Sequence, residues 1–175
     1  MKIVIPTKNF EYEPIIRQWF EPFDVEVIIE KGAPPSGWDV RQKYTELFSN
    51  LNEFIVFMDD DTLIPYDVMR YALEHDGQDI ILMFGQIWWC SGPKRLEPKP
   101  INCYPVRCDI GQVMVNGKLL TGYKWETCYE NDGYYIQHLY NTYPQKFRFV
   151  PHLNTWYNAL ANGKGLFNGE VIQIA

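Results

Sequence analysis

Three consecutive carboxylates, Asp59-Asp60-Asp61, follow directly on the apolar run Phe54 to Met58. On an extended chain, residues two apart project to the same side, so Asp59 and Asp61 share a face at roughly 7 Å. At an effective dielectric of about 20, like charges at that separation repel by roughly 2 to 3 kcal/mol, and Asp60 adds to the repulsion. A cation resolves the conflict. Hard divalent ions take oxygen ligands and share them with substrate phosphates, which makes Mg²⁺ or Mn²⁺ the expected occupant. A helix cap is the simpler alternative use of Asp or of Thr62, but a cap requires one such residue and not three.

The elements that must hold these carboxylates are legible in the first half of the chain. Lys2 to Ile5 is an apolar strand closed by Pro6, Asp24 to Ile29 a second, Phe54 to Met58 a third and Ile80 to Phe84 a fourth. Between them, Glu13 to Phe20 and Arg41 to Leu51 carry apolar residues at helical spacing, and Pro65 opens a further helix through Val68, Met69, Ala72 and Leu73. Apolar strands alternating with helices predict an α/β fold, with a mostly parallel sheet covered on both faces. In such sheets ligands bind outside the carboxyl ends of the strands, where the aspartates stand.

The second half is less regular. Ser91 to Pro105 reads as a long polar loop, and Gln112 to Val115 as a strand turning at Asn116-Gly117 into Leu119-Leu120, a hairpin. Gly133 to Tyr143 is a predicted helix and Phe147 to Val150 a last core strand. Without repeats or a compositional break, residues 1–175 are expected to form a single domain, with 162–175 as a flexible, Gly- and Asn-rich C-terminal flap.

Composition narrows the partners. Hydrophobic residues at 46% and charged ones at 22% are ordinary globular usage, so a packed core is expected. The net charge of -6 provides no field for a nucleic-acid backbone. No apolar run reaches the roughly 18 residues of a membrane span, and no signal-peptide pattern opens the chain, which predicts a soluble, cytoplasmic protein. Cys90, Cys103, Cys108 and Cys128 form no metal-binding spacing and are expected as reduced, mostly buried thiols.

The strand ending Ile5-Pro6-Thr7-Lys8-Asn9, together with Phe54-Ile55-Val56-Phe57-Met58-Asp59-Asp60-Asp61-Thr62, resembles the inverting family-2 glycosyltransferases of GT-A fold. The resemblance implies a Rossmann-like nucleotide-diphospho-sugar transferase sheet and a DxD motif. Pro6, Thr7 and Asn9 would hold the nucleotide, with Glu30 toward its base or ribose and Arg41 or Lys43 as a basic partner. Asp59 and Asp60 would face the nucleotide, while Asp61, with Asp59, would bind Mn²⁺ or Mg²⁺. Tyr129-Glu130-Asn131-Asp132-Gly133 is similar to the motif that carries the family's general base, which points to Asp132, with Glu130 as the alternative. His152 corresponds to a C-terminal histidine that completes the metal shell. Trp88-Trp89, Trp125 and Tyr129 are candidate aromatic platforms for a sugar.

The expected function is transfer of a sugar from a nucleotide-diphosphate donor, a UDP-sugar first, to a glycan, lipid or small-molecule hydroxyl. The compact length suggests a minimal, phage- or virus-type member, for which DNA is a less favoured acceptor. Two other classes compete: a nucleotidyltransferase making NDP-sugars, and a nucleotide- or carbohydrate-binding module or degenerate transferase. Against the first, Pro6-Thr7-Lys8-Asn9-Phe10 lacks the glycines of a phosphate loop. Against the second, Asp61 and Asp132 are both present.

Overall fold

A computed structural model of the protein describes residues 1–8, 10–34, 37–88, 94–120 and 122–162. Asn9, Trp89, Cys90 and the expected flap beyond Asn162 lie outside the described residues. Among the described residues, seven strands form one mixed sheet. They are β1 (Lys2–Thr7), β2 (Glu26–Lys31), β3 (Phe54–Phe57), β4 (Ile81–Trp88), β5 (Lys94–Leu96), β6 (Val113–Asn116) and β7 (Phe147–Tyr157). β1 runs parallel to β2 on one side and to β3 on the other. β6 lies antiparallel between β3 and β4. The other edge of β4 pairs in parallel with β7, while β5 pairs antiparallel with Gln86 to Trp88 at the far end of β4.

Alternation along the apolar strands feeds two cores. Ile3, Ile5, Val56, Leu82 and Phe84 pack on one face with α1 (Glu13–Phe20) and α3 (Tyr66–Glu74). Val4, Ile55, Phe57, Met83 and Val115 pack on the other with α2 (Trp38–Phe48) and α4 (Asn131–Thr142). A short helix, α5 (Ala159–Asn162), follows β7. The two-faced burial explains why the runs 3–5, 54–57, 81–84 and 113–115 are apolar at every position.

Three expectations are corrected. The hairpin at Asn116-Gly117 does not form: a 3₁₀ turn, Gly117–Leu119, follows β6. Gly117 donates to the Glu53 carbonyl at 2.9 Å and accepts from the Asn50 amide at 3.1 Å, so the turn is tied to the α2–β3 connection and not to a returning strand. The Ser91–Pro105 segment contains β5. The last strand runs to Tyr157, past Pro151, because a bulge shifts its register between the Phe84–Val150 and Gly85–Asn154 pairs and leaves 151–153 unpaired.

Candidate active site

Strands β1, β2, β3, β4 and β7 all end on one side of the sheet, and a cavity of about 460 Å³ opens there. Thr7 and Lys8 line it from the end of β1, and Gly32 to Pro34 from the end of β2. Asp59, Asp60 and Asp61 line it after β3, and Trp88 and Tyr157 close β4 and β7 against it. The fourth wall is the start of α4, with Tyr129, Glu130, Asp132 and Gly133, together with Val106, Cys108 and Asp109.

Beneath the floor lies Arg41, whose side chain has no solvent exposure. Its Nη2 donates to Asp59 Oδ1 at 2.6 Å, and its Nη1 donates to Asp132 Oδ1. Asp109 comes within ligand distance of the same pair: one carboxylate oxygen each from Asp59, Asp109 and Asp132 fits within 4.8 Å. Asp109 is held by Gln86 Nε2 at 2.7 Å and by the Gly111 amide at 2.9 Å. Trp125, an expected platform, is buried, stacks on Tyr135 at 4.5 Å and donates to Thr45 Oγ1 at 2.9 Å. Its ring supports the guanidinium from 5.3 Å, so it belongs to the core.

Asp60 and Asp61 differ from Asp59 in their partners. Asp60 accepts a hydrogen bond from Thr7 Oγ1 at 2.5 Å, which ties the end of β3 to the end of β1. Asp61 has a buried Oδ1 without a hydrogen-bond partner. Burial, and then the charges of Asp59 and Asp60, push its carboxyl up to about 7. Burial likewise raises Asp109, reinforced by Asp59 and Asp132. For Asp132 burial raises and Arg41 opposes, leaving the group above the ordinary carboxylate range. Five carboxyls against one buried guanidinium leave an excess of negative charge, and an orphaned oxygen marks where a cation would relieve it. The donor set is all oxygen, as Mg²⁺ or Mn²⁺ requires.

Of the residues singled out in the sequence, the structure places Pro6, Thr7, Asp59, Asp60, Asp61, Glu130 and Asp132 around one cavity. Glu30 and Lys43 instead pair with each other at 2.7 Å beside it, and Glu30 also accepts from Tyr44 at 2.8 Å. Arg41, expected toward the nucleotide, is sealed beneath the carboxylates. His152 is not brought to them. It lies in the β7 bulge, exposed, its ring 6.2 Å from that of Tyr71 on α3. Asp109 was not anticipated from sequence; its only local signal is the D-x-x-Q spacing to Gln112, which forms a capping box. Buried Cys103 and Cys108 are thiols that burial pushes far from ionisation, and Cys128 is half-buried.

The fold is a GT-A-like mixed α/β architecture, with a carboxylate-rich cavity at the strand ends. Among solved structures, the chain is similar to A197 from STIV, with 13% identity and a TM-score of 0.58 over 89% of this chain and 84% of that one. It is also similar to S. aureus TarS, with 13% identity and a TM-score of 0.59 over 89% of this chain and 36% of that one. A structure of TarS 1-349 gives 11% identity and a TM-score of 0.56, over 94% and 62% of the two chains. The chain thus spans little more than a third of the longer TarS chain, and the likeness is one of fold. No protein-family model matches the sequence, and no curated protein matches it either. Among the described residues no helix is long and apolar enough to cross a membrane.

Proposed function

We propose that the protein is a metal-dependent glycosyltransferase that moves a sugar from a nucleoside-diphosphate donor, a UDP-sugar first, to a hydroxyl acceptor with inversion. The observation that carries this proposal is the buried, unpartnered Asp61 Oδ1 beside Asp59 and Asp60 at the cavity floor of a GT-A fold. Asp61 and Asp59 are the residues that would hold Mn²⁺ or Mg²⁺. When bound, such an ion neutralises charge on the diphosphate leaving group.

The chain's own residues do the rest. Thr7, with Lys8 beside it, lines the end of β1 where the nucleotide would lie, and its bond to Asp60 fixes the two loops together. Asp132 is the proposed base. Its carboxylate accepts the acceptor's hydroxyl proton as the oxygen bonds to the anomeric carbon, and the bond to the diphosphate oxygen breaks with its electron pair. Arg41 orients that carboxylate, and burial keeps it more basic than an exposed aspartate. Glu130, more exposed on the same wall, is the alternative base.

Calorimetric titration of UDP tests the proposal. Binding should be strong with Mn²⁺, lost with chelator, and lost in Asp61→Ala. Asp132→Asn should bind UDP–Mn²⁺ yet transfer at least about 10²-fold more slowly. Equal UDP affinity with and without metal would remove the ion from the scheme, and loss of binding in Asp132→Asn would move that residue to the donor pocket.

A further inference from the structure

We propose that Trp88 and Tyr157 form a platform for a pyranose ring, so that the acceptor entering the cavity is itself a neutral sugar. That the sugar is an acceptor rests on the glycosyltransferase proposal; that it binds here rests on geometry alone.

Trp88 and Tyr157 are the last residues of β4 and β7 and face each other in the parallel register. Their rings lie 4.9 Å apart at 41°. Trp19, Trp125 and Tyr135 are buried in the cores, whereas these two rings are half-buried and line the cavity. The indole is anchored from below. Trp88 Nε1 donates to Gln86 Oε1 at 2.6 Å, and the fully buried Gln86 donates from Nε2 to Asp109 Oδ1 at 2.7 Å. Its polar edge is thereby satisfied inside the protein, and the ring is fixed before any ligand arrives, which lowers the ordering cost of binding.

An anchored aromatic face matches the C–H face of a pyranose. The hydroxyls of such a ring need acceptors, and Glu130 and Asp132 stand on the same cavity. Those carboxylates also select against an anionic substituent on the ring that enters beside them. Tyr129 and Val106, which also line the cavity, are 84% and 83% exposed and add apolar surface to it. In the sheet, β4 and β7 lie across β3 and β6 from β1 and β2, so the platform and the Thr7 end of the cavity flank the aspartates. The ammonium of exposed Lys94, 5.7 Å from the Trp88 ring centre, is a solvent-side cover that a sugar would displace.

Saturation-transfer NMR with methyl pyranosides and with n-hexanol tests the platform. Pyranoside C–H signals are expected with the wild-type protein. They should fall at least about fivefold in Trp88→Ala and in Tyr157→Ala, each variant still melting cooperatively. Signals retained in both variants, or absent from wild type, overturn the proposal, and saturation of hexanol alone would assign the wall to an aliphatic acceptor. A UDP–Mn²⁺ titration on the same wild-type sample separates the two claims. Ring-dependent pyranoside binding without UDP binding keeps the platform and removes the transferase; UDP binding without pyranoside signals does the reverse.

Discussion

Arg41 and Asp61 sit in the same acidic environment and are treated in opposite ways. The guanidinium gives each of two carboxylates its own N–H, on Asp59 and on Asp132, and the charges of Asp132, Asp59 and Asp109 hold its proton despite the burial that opposes it. A lysine could not make that fork, because an ammonium is a compact point charge. Asp61 receives no such partner, and its carboxyl, raised by burial and by Asp59 and Asp60, titrates near 7. The sign of the linkage follows. Below the unfolded value of about 3.8 both states are protonated and Asp61 costs nothing. As pH rises from there to about 7, the folded state holds a proton that the unfolded chain has released, so metal-free stability falls across that window. Asp61→Asn should therefore raise the melting temperature of the metal-free protein at pH 8 and leave it unchanged near pH 4. Melting curves at the two pH values check this; an equal shift at both would mean that Asp61 acts through packing and not through its charge.

The elements bring distant residues to one cavity by close backbone contacts as much as by side chains. At the start of α4, a Cβ on Gly133 would lie 2.3 Å from Pro105 Cα and 2.9 Å from Pro105 N. Backbone cannot step aside as a side chain can, so Gly133→Ala must push the helix start, and Asp132 with it, away from the loop. A loss of about 1 to 3 kcal/mol in urea unfolding is expected from such overpacking; an unchanged midpoint would mean that the 105–108 segment yields freely. The same dependence on tertiary contact separates what was legible in sequence from what was not. β3 and the aspartates after it were legible because a fully apolar strand and a run of like charges are local signals. The helix after Pro65 was legible too, since proline favours helix starts and here stands at the N-cap, immediately before Tyr66. Asp109 was hidden because its role depends on meeting Asp59 and Asp132, which are 50 and 23 residues away in the chain. The extension of β7 was hidden by Pro151, which ends a strand in sequence but here falls in a bulge. His152 moved out of the expected metal shell for the same reason.

At the scale of the whole molecule, the sheet is unevenly protected, and the cavity lies over its best-held part. Every residue of β3 is buried, and the strand is paired on both edges, with β1 and with β6. β2 is an outer strand of the pairing order, paired with β1 and half-exposed along its length. Its Glu26, Glu30 and Lys31 are the charged residues by which an open edge discourages pairing with another chain. Opening β2 frees only the partly buried Val27, Ile28 and Ile29, whereas opening β3 exposes both cores and is equivalent to global unfolding. Native-state hydrogen exchange should therefore find the Phe54 to Phe57 amides among the slowest and those of β2 that do not face β1 at least about 10²-fold faster. The carboxylates inherit this order: Asp59 to Asp61 hang from a strand buried along its whole length and paired on both edges, which would suit the metal-holding role proposed for them. Outward β2 amides as slow as those of β3 would mean that another surface covers this edge, and sedimentation at rising protein concentration would then show whether that surface is a second copy of the chain.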